Sequence, residues 1–239
     1  MTIGEKLADV IIARRFNGPP SSGNGGYVSG LVGAHIKGAA EVSLRLPPPL
    51  DTAMEISRNE DGVILHTGET IYGVGKSAIP DLEVPSLSHG LTYDDHPSDV
   101  KFQPFDTCFV CGDARTLGDG LCIHAKPITG YDGHVGANWK LHKSLADKDG
   151  FVDPVYIWSA LDCPGYAACA YGEPALLARM TTKITAKIKC EGTAFVMGWS
   201  KGASGRKRFC GTAIYDQDCN LIAASSALWV VVKSEQIAV

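Results

Sequence analysis

Apolar and polar residues alternate along most of the chain, which predicts a protein built mainly of strands. The clearest run is residues 180–189, where Met180, Ile184 and Ile188 share one face and lysines and threonines the other. This period of two is typical of a strand with one buried and one exposed face. Similar runs predict strands at residues 8–16, 42–46, 52–58, 63–74, 121–127, 134–141, 193–200, 207–215 and 221–232. The first of these, 8–16, is equally compatible with a helix.

Two segments are predicted to be helical instead. Apolar residues recur every three or four positions in residues 27–36. Gly30 and Gly33 each lower helix propensity there by ~1 kcal/mol, so we expect another element to pack closely against this helix. The second helix is predicted at residues 153–163, because it opens with an Asp-Pro pair that suits a helix start. Pro164 must kink or end it.

The two halves of the chain follow the same plan of a strand, one apolar helix and an antiparallel series of strands. Residues 80–104 separate them and contain four prolines together with serines, histidines and acidic residues, a composition typical of a linker. We therefore predict an α+β protein with one unit at residues 1–79 and a second at residues 105–239. Each unit is expected to place one helix on its own sheet.

Three segments resemble a known family. Phe-Val-Cys-Gly at 109–112 followed by Gly-Leu at 120–121, Trp-Ser-Ala-Leu-Asp-Cys-Pro-Gly at 158–165, and Gly-Asn-Gly-Gly at 23–26 resemble the hotdog fold of the PaaI-like acyl-CoA thioesterase superfamily. The resemblance implies a double hotdog, in which two halves of one chain imitate a dimer of single units. It also implies an enzyme that hydrolyses acyl-CoA thioesters. The first half is short for a complete unit, so a strand is missing or merged there.

Composition narrows the partners. Among 239 residues, 22 Lys and Arg oppose 26 Asp and Glu, so no global basic field favours nucleic acid. No apolar run approaches the ~20 residues that span a bilayer, and the N-terminus does not resemble a signal peptide. Eight cysteines are too sparse for a secreted disulfide scaffold. We expect a cytoplasmic protein with free thiols, either a monomer or a homo-oligomer of double-hotdog chains.

Thioester hydrolysis needs donors that polarise the carbonyl, a carboxylate that orients or activates water, and an apolar slot for the acyl chain. The first helix start, at Asn24, Gly25 and Gly26, offers unpaired backbone N–H groups that a carbonyl oxygen can approach. Asp162 is a carboxylate within an apolar helix, which is a typical feature of a functional site. The alternatives are that the glycines only form a turn and that Asp162 faces solvent.

Substrate contacts are expected from Tyr27 and Trp158 on the helices. Cations around a predicted hairpin turn suit the phosphates of coenzyme A: Lys201, Arg206, Lys207 and Arg208. The thioester is carried by coenzyme A or by an acyl carrier, and no further cofactor is predicted. Residues 27–36 contain no carboxylate, so we predict one working site per chain if each site pairs a helix start from one unit with a carboxylate from the other.

Other functions remain open. His35 beside an acidic residue would instead favour an acyl-thioester hydratase or dehydratase, and a non-catalytic acyl-binding or CoA-binding protein is a third class. Cys108 and Cys111 with Cys122 and His124 form a set of metal-ligand types, but the second pair is spaced too tightly for the usual zinc pattern. We therefore predict no metal.

Overall fold

Eleven antiparallel strands form one continuous sheet in the computed structural model, which describes residues 4–87 and 105–237. The elements of the first half are β1 (Glu5–Ile11), α1 (Gly25–Gly33), β2 (Ala40–Leu44), β3 (Ala53–Asn59), β4 (Gly62–Thr67) and β5 (Thr70–Ser77). Those of the second half are β6 (Lys126–Pro127), β7 (His134–Lys140), α2 (Pro154–Ala160), α3 (Cys163–Cys169), β8 (Ala175–Ile184), β9 (Thr193–Ser204), β10 (Lys207–Tyr215) and β11 (Leu221–Val231).

The two halves join edge to edge through their sheets. The strand order is β1-β3-β4-β5-β2-β8-β11-β10-β9-β7-β6, so β2 of the first half pairs with β8 of the second. Val42 lies opposite Met180 at this junction, and both side chains are fully buried. The expectation of an antiparallel sheet with a helix in each half is met, but the two sheets are merged into one.

Helices α1 and α2 pack against each other with little space between them. A Cβ on Gly30 would lie 3.0 Å from the Val155 Cα, and one on Gly33 would lie 2.8 Å from the Trp158 ring. The prediction that the two helical glycines allow a close neighbour is therefore confirmed, and that neighbour is the helix of the other half.

Several predicted strand boundaries are wrong. Residues 63–74 were expected to form one strand but form β4 and β5, because Gly68 turns the chain with a φ of +52°. Because the turn divides this segment into two strands, the first half contains the strand that we expected to be missing or merged. Of residues 121–127, only Lys126–Pro127 pairs with β7. The strand expected at 180–189 begins and ends five residues earlier, as β8.

Two other segments resolve ambiguities left by the sequence. Residues 8–16 contain the end of β1 followed by a short 3-10 turn at Arg14–Phe16. Residues 153–163 form a helix that breaks at Asp162 and resumes as α3, because Pro164 has no N–H with which to continue the first helix.

The beginning of the predicted linker packs against the second half. Leu82, Val84 and Leu87 contact a buried cluster on β9, β10 and β11 that includes Trp199 and Tyr215. The rest of the linker, residues 88–104, lies outside the described residues. Within residues 4–87 and 105–237, none of the helices has the length and apolar character needed to cross a bilayer.

Candidate active site

A cavity of about 210 Å³ lies where the two halves meet. Both halves contribute to its wall: the first supplies the start of α1 and the segment after β2, and the second supplies β8, β11 and the start of α3. Most of the wall is apolar, with side chains that include Leu44, Leu46, Pro47, Pro48, Phe105, Leu176, Leu177 and Val230. Such a slot suits an acyl chain.

Asp162 reaches the start of α1 from the other half of the chain. Its Oδ2 accepts hydrogen bonds from the Asn24 side-chain amide at 2.8 Å and from the Gly26 backbone N–H at 2.9 Å. Its Oδ1 is buried and has no hydrogen-bond partner among the described residues. Asp162 is only 3% exposed and lines the cavity. The carboxylate thus lies beside the glycines, as the sequence analysis expected.

Burial is the main influence on this carboxyl group. It raises the pKa of Asp162 to about 7, since the charged form loses its hydration. The Gly26 N–H opposes this rise because it stabilises the carboxylate, the nearby Cys108 adds to the rise, and the Asn24 amide opposes it. Near neutral pH the group is therefore present both as a carboxylate and as an acid.

The N–H groups at the start of α1 are almost all occupied. The Asn24 side chain caps the helix by accepting from the Tyr27 N–H at 2.9 Å, and the Val28 N–H bonds to the Asn24 carbonyl. The Gly26 N–H is bonded to Asp162. Within the described part of the chain, the Gly25 N–H has no acceptor, and Gly25 lines the cavity. We expected both glycines to polarise a carbonyl, but only Gly25 is free to do so.

Steric crowding explains why these two positions are occupied by glycine. A Cβ on Gly26 would lie 2.7 Å from both the Asp162 Cβ and the Trp158 carbonyl oxygen. A Cβ on Gly25 would lie 2.9 Å from the Leu177 side chain. Gly26 therefore permits the close approach of Asp162, and Gly25 leaves room at the cavity wall.

Tyr27 and Trp158, expected to contact substrate, are not brought to the cavity. The Tyr27 ring stacks on Phe16 with centroids 4.1 Å apart and also packs near Phe109 and Tyr156. Trp158 fills the space between α1 and α2, against Gly30 and Gly33. Their buried positions follow from helix packing, because both side chains point into the contact between the halves.

The four hairpin cations differ in their surroundings. Arg208 donates two hydrogen bonds of 2.6 Å to the Glu173 carboxylate, and Lys201 donates to the Asp81 carbonyl. Arg206 and Lys207 are exposed at the start of β10. Lys207 pairs in the sheet with Val230, a cavity residue, so the turn end of the hairpin adjoins the cavity wall. Binding of phosphates by these cations stays a prediction.

The histidine proposed for a dehydratase lies elsewhere. His35 follows the end of α1, whereas Asp162 lies at its start. Among the described residues that line the cavity there is no histidine. Asp153 caps α2 by accepting a hydrogen bond from the Val155 N–H. Helix α1 contains no carboxylate that could lie opposite this second helix start.

Among the cavity-wall residues that were not predicted, two have side chains suited to binding a ligand. Arg45 is the one cationic residue among those that line the described cavity. Cys163 joins Cys108 and Cys111 in a cluster whose three Sγ atoms lie within 4.8 Å of one another. Its position directly after Asp162 was the available signal. Cys122 and His124, which we had grouped with the first two cysteines, are not in this cluster.

The three thiols influence one another strongly. Hydrogen bonds from the Cys111 and Cys163 side chains hold the pKa of Cys108 well below its usual range, and the backbone N–H groups of Cys111 and Val110 add to this. The pKa values of Cys111 and Cys163 are raised, chiefly by their hydrogen bonds with Cys108 and by burial. Cys108 is thus the thiol that ionises most readily in the cluster.

The continuous sheet and the cavity between two helix-bearing halves define a double hotdog protein. A candidate thioesterase II from Thermobifida fusca has the same fold, with 13% identity, a TM-score of 0.59, and coverage of 97% of this chain and 96% of that one. The tesB protein of Mycobacterium avium subspecies paratuberculosis is similar at 9% identity and a TM-score of 0.56, covering 97% of this chain and 92% of its own. Comparison with protein-family models and with curated proteins gives no match.

Proposed function

We propose that this protein hydrolyses acyl thioesters, with acyl-CoA as the substrate class. The observation that carries the proposal is the buried Asp162 carboxylate, whose Oδ1 has no partner among the described residues and which lines an apolar cavity together with Gly25. A buried polar atom without a partner costs free energy, and such atoms are typical of sites that hold a ligand or a reacting group. The thioesterase name of a protein with the same fold also supports this reaction.

In the proposed reaction the acyl chain occupies the apolar cavity and its carbonyl oxygen accepts from the Gly25 N–H. Asp162 Oδ1 takes a proton from a water molecule that attacks the carbonyl carbon. The tetrahedral intermediate then expels the thiolate, which takes this proton back from Asp162 to become the free thiol, and the acid is released. Water is consumed once, and one thiol and one carboxylic acid are formed.

The two carboxylate oxygens of Asp162 have different roles in this reaction. Oδ2 is fixed by the Asn24 amide and the Gly26 N–H, so the carboxyl group cannot rotate away from the cavity. Oδ1 is then available for the attacking water. Because both donors belong to the first half and the carboxylate to the second, the site is complete only when the halves are packed together.

The test is thiol release from a panel of acyl-CoA esters of increasing chain length. Asp162→Asn keeps the size of the side chain but removes the base, and we expect kcat to fall by ~100-fold or more. Equal rates in the wild type and Asp162→Asn would contradict the proposal. Tight binding of acyl-CoA without any thiol release would identify a carrier, and hydration of enoyl-CoA would identify a hydratase.

A further inference from the structure

Three cysteine side chains converge on the same cavity from two distant segments. Cys108 and Cys111 belong to the loop before β6, and Cys163 begins α3. Cys108 and Cys111 are buried, Cys163 is partly buried, and all three line the cavity. The proposed hydrolysis uses none of them, so a cluster of three thiols at this position needs another explanation.

The spacing of the sulfur atoms fits coordination of one ion. Cys108 Sγ and Cys163 Sγ are 3.7 Å apart, and all three Sγ atoms lie within 4.8 Å of one another. A tetrahedral Zn²⁺ with Zn–S bonds of about 2.3 Å holds its sulfurs about 3.8 Å apart. A disulfide would need the same atoms at about 2.05 Å, which would require a shift of more than 1 Å.

The loop that carries two of the cysteines is shaped to present its sulfurs. The Gly112 N–H bonds to the Cys108 carbonyl at 2.9 Å, which closes a tight turn around the Cys-x2-Cys segment. A Cβ on Gly112 would lie 2.4 Å from the Asp106 carbonyl oxygen, so only glycine fits.

We propose that Cys108, Cys111 and Cys163 form a binding site for a thiophilic divalent cation, with Zn²⁺ as the preferred ion. Thiolates select such ions over Mg²⁺ or Ca²⁺. Each coordinating thiol releases its proton to solvent as the metal–sulfur bond forms. The three protein ligands leave a fourth position, and an ion held by three cavity-lining residues borders the cavity. This inference does not depend on the proposed hydrolysis.

Metal content of the full-length protein tests the site directly. Protein purified under reducing conditions and supplied with Zn²⁺ should retain one equivalent per chain by mass spectrometry. After removal of zinc by a chelator, titration with Co²⁺ should produce thiolate-to-cobalt charge-transfer absorption that saturates at one equivalent. Neither readout requires enzymatic activity.

Substitution of single cysteines by serine then identifies the residues that bind the metal ion. Because loss of an outer-sphere partner already costs 10–100-fold in metal affinity, we expect Cys163→Ser to weaken Co²⁺ binding by more than ~100-fold. Cys111→Ser should do the same, and circular dichroism verifies that each variant is folded. Cys122→Ser is the matched control, since Cys122 lies in the same loop but outside the cluster, and it should bind as tightly as the wild type.

Three results would overturn the proposal. The first is wild-type protein that retains no Zn²⁺ and gives no charge-transfer band with Co²⁺. The second is a band of unchanged strength in folded Cys163→Ser. The third is a disulfide between Cys108 and Cys163, detected by peptide mapping in protein prepared under reducing conditions with zinc present, which would identify a redox pair instead.

Discussion

Asp162 and Asn24 are the residues whose chemistry depends most on their exact neighbours. Asn24 is 2% exposed and uses both ends of its amide: the oxygen caps α1 and the nitrogen binds Asp162. One side chain therefore fixes the helix start and the carboxylate at once. This double role couples the stability of α1 to the geometry of the site.

Replacement of Asn24 separates these two roles. Asn24→Ala removes the cap and the donor to Asp162, and we expect the free energy of unfolding to fall by about 1–2 kcal/mol. Asn24→Ser keeps a capping oxygen and should recover much of this loss, while hydrolysis stays impaired because Asp162 has lost its amide donor. Denaturant unfolding and kcat/KM measure the two effects. Equal activity in Asn24→Ser and the wild type would show that the Asn24 amide does not position Asp162.

Gly26 provides a second prediction at this scale. A methyl group there would collide with Asp162 and with the Trp158 carbonyl, so Gly26→Ala should cost about 1–3 kcal/mol and reduce hydrolysis by displacing the carboxylate. Gly73→Ala is the control, because a Cβ on that strand residue meets its nearest neighbour, a Leu44 methyl group, at 3.5 Å. Thermal unfolding of both variants checks the difference. A stable, active Gly26→Ala protein would contradict the close approach described for Asp162.

Among the structural elements, an aromatic cluster at the start of α1 joins the two halves. Phe16 and Tyr27 from the first half pack with Phe109 and Tyr156 from the second. The cluster lies beside the helix start that holds Asp162, so it stabilises the contact on which the site depends. Packing in this cluster explains the position of the Tyr27 side chain more directly than contact with substrate does.

Variants of Tyr27 distinguish packing from substrate binding. Tyr27→Ala should lower the free energy of unfolding by about 3–5 kcal/mol, because it removes a ring from a buried cluster. Tyr27→Phe keeps the ring and should change neither stability nor KM for acyl-CoA appreciably. Unfolding curves and steady-state kinetics provide the comparison. A raised KM in folded Tyr27→Phe would restore the sequence-based expectation that Tyr27 contacts substrate.

The sequence predicted which helices and strands are present better than it predicted the residues at which they begin and end. Alternation identified the strands because one face of each is buried, but it passed over the turn at Gly68, since the residues on both sides of it are strand-like. It also placed β8 five residues late, because lysines continue the alternating pattern after the strand has ended. The Asp-Pro pair at 153–154 identified α2, and Pro164 signalled its end, but a further helix that begins around a proline leaves little signal in a single sequence.

The site was predictable in part. Asp162 stood out as a carboxylate among apolar residues, and the glycines before α1 stood out as a helix start. The Gly26 N–H is occupied because Asp162, more than 130 positions away in the sequence, bonds to it. No local sequence pattern contains that information. The same holds for Cys163, which meets Cys108 only because the loop before β6 packs against the start of α3.

At the scale of the whole molecule, the pairing of β10 with β11 places the β9–β10 hairpin beside a strand that lines the cavity. Lys207 pairs with Val230, and Arg208 pairs with Trp229; both partners line the cavity. Adjacent strands are about 4.8 Å apart, so Lys207 lies one strand away from a cavity-lining residue, and we expect the exposed Arg206 and Lys207 to reach the phosphates of a bound acyl-CoA.

This arrangement predicts how the protein distinguishes coenzyme A from simpler thiols. Replacement of Arg206 and Lys207 together by alanine should raise KM for acyl-CoA with little change in kcat, and the effect should shrink at high salt because exposed charges are screened. The matched control is the acyl thioester of N-acetylcysteamine, which has no phosphates and should be hydrolysed equally by both proteins. An unchanged KM for acyl-CoA would show that these two cations do not bind its phosphates.

The last strand, β11, contributes Trp229 and Val230 to the cavity, while the other wall begins with residues near position 18. In the sheet β11 lies between β8 and β10, so the strand that closes this wall also connects the first half and β8 to β10, β9 and β7. Removal of β11 would therefore open the cavity and divide the sheet in the same step.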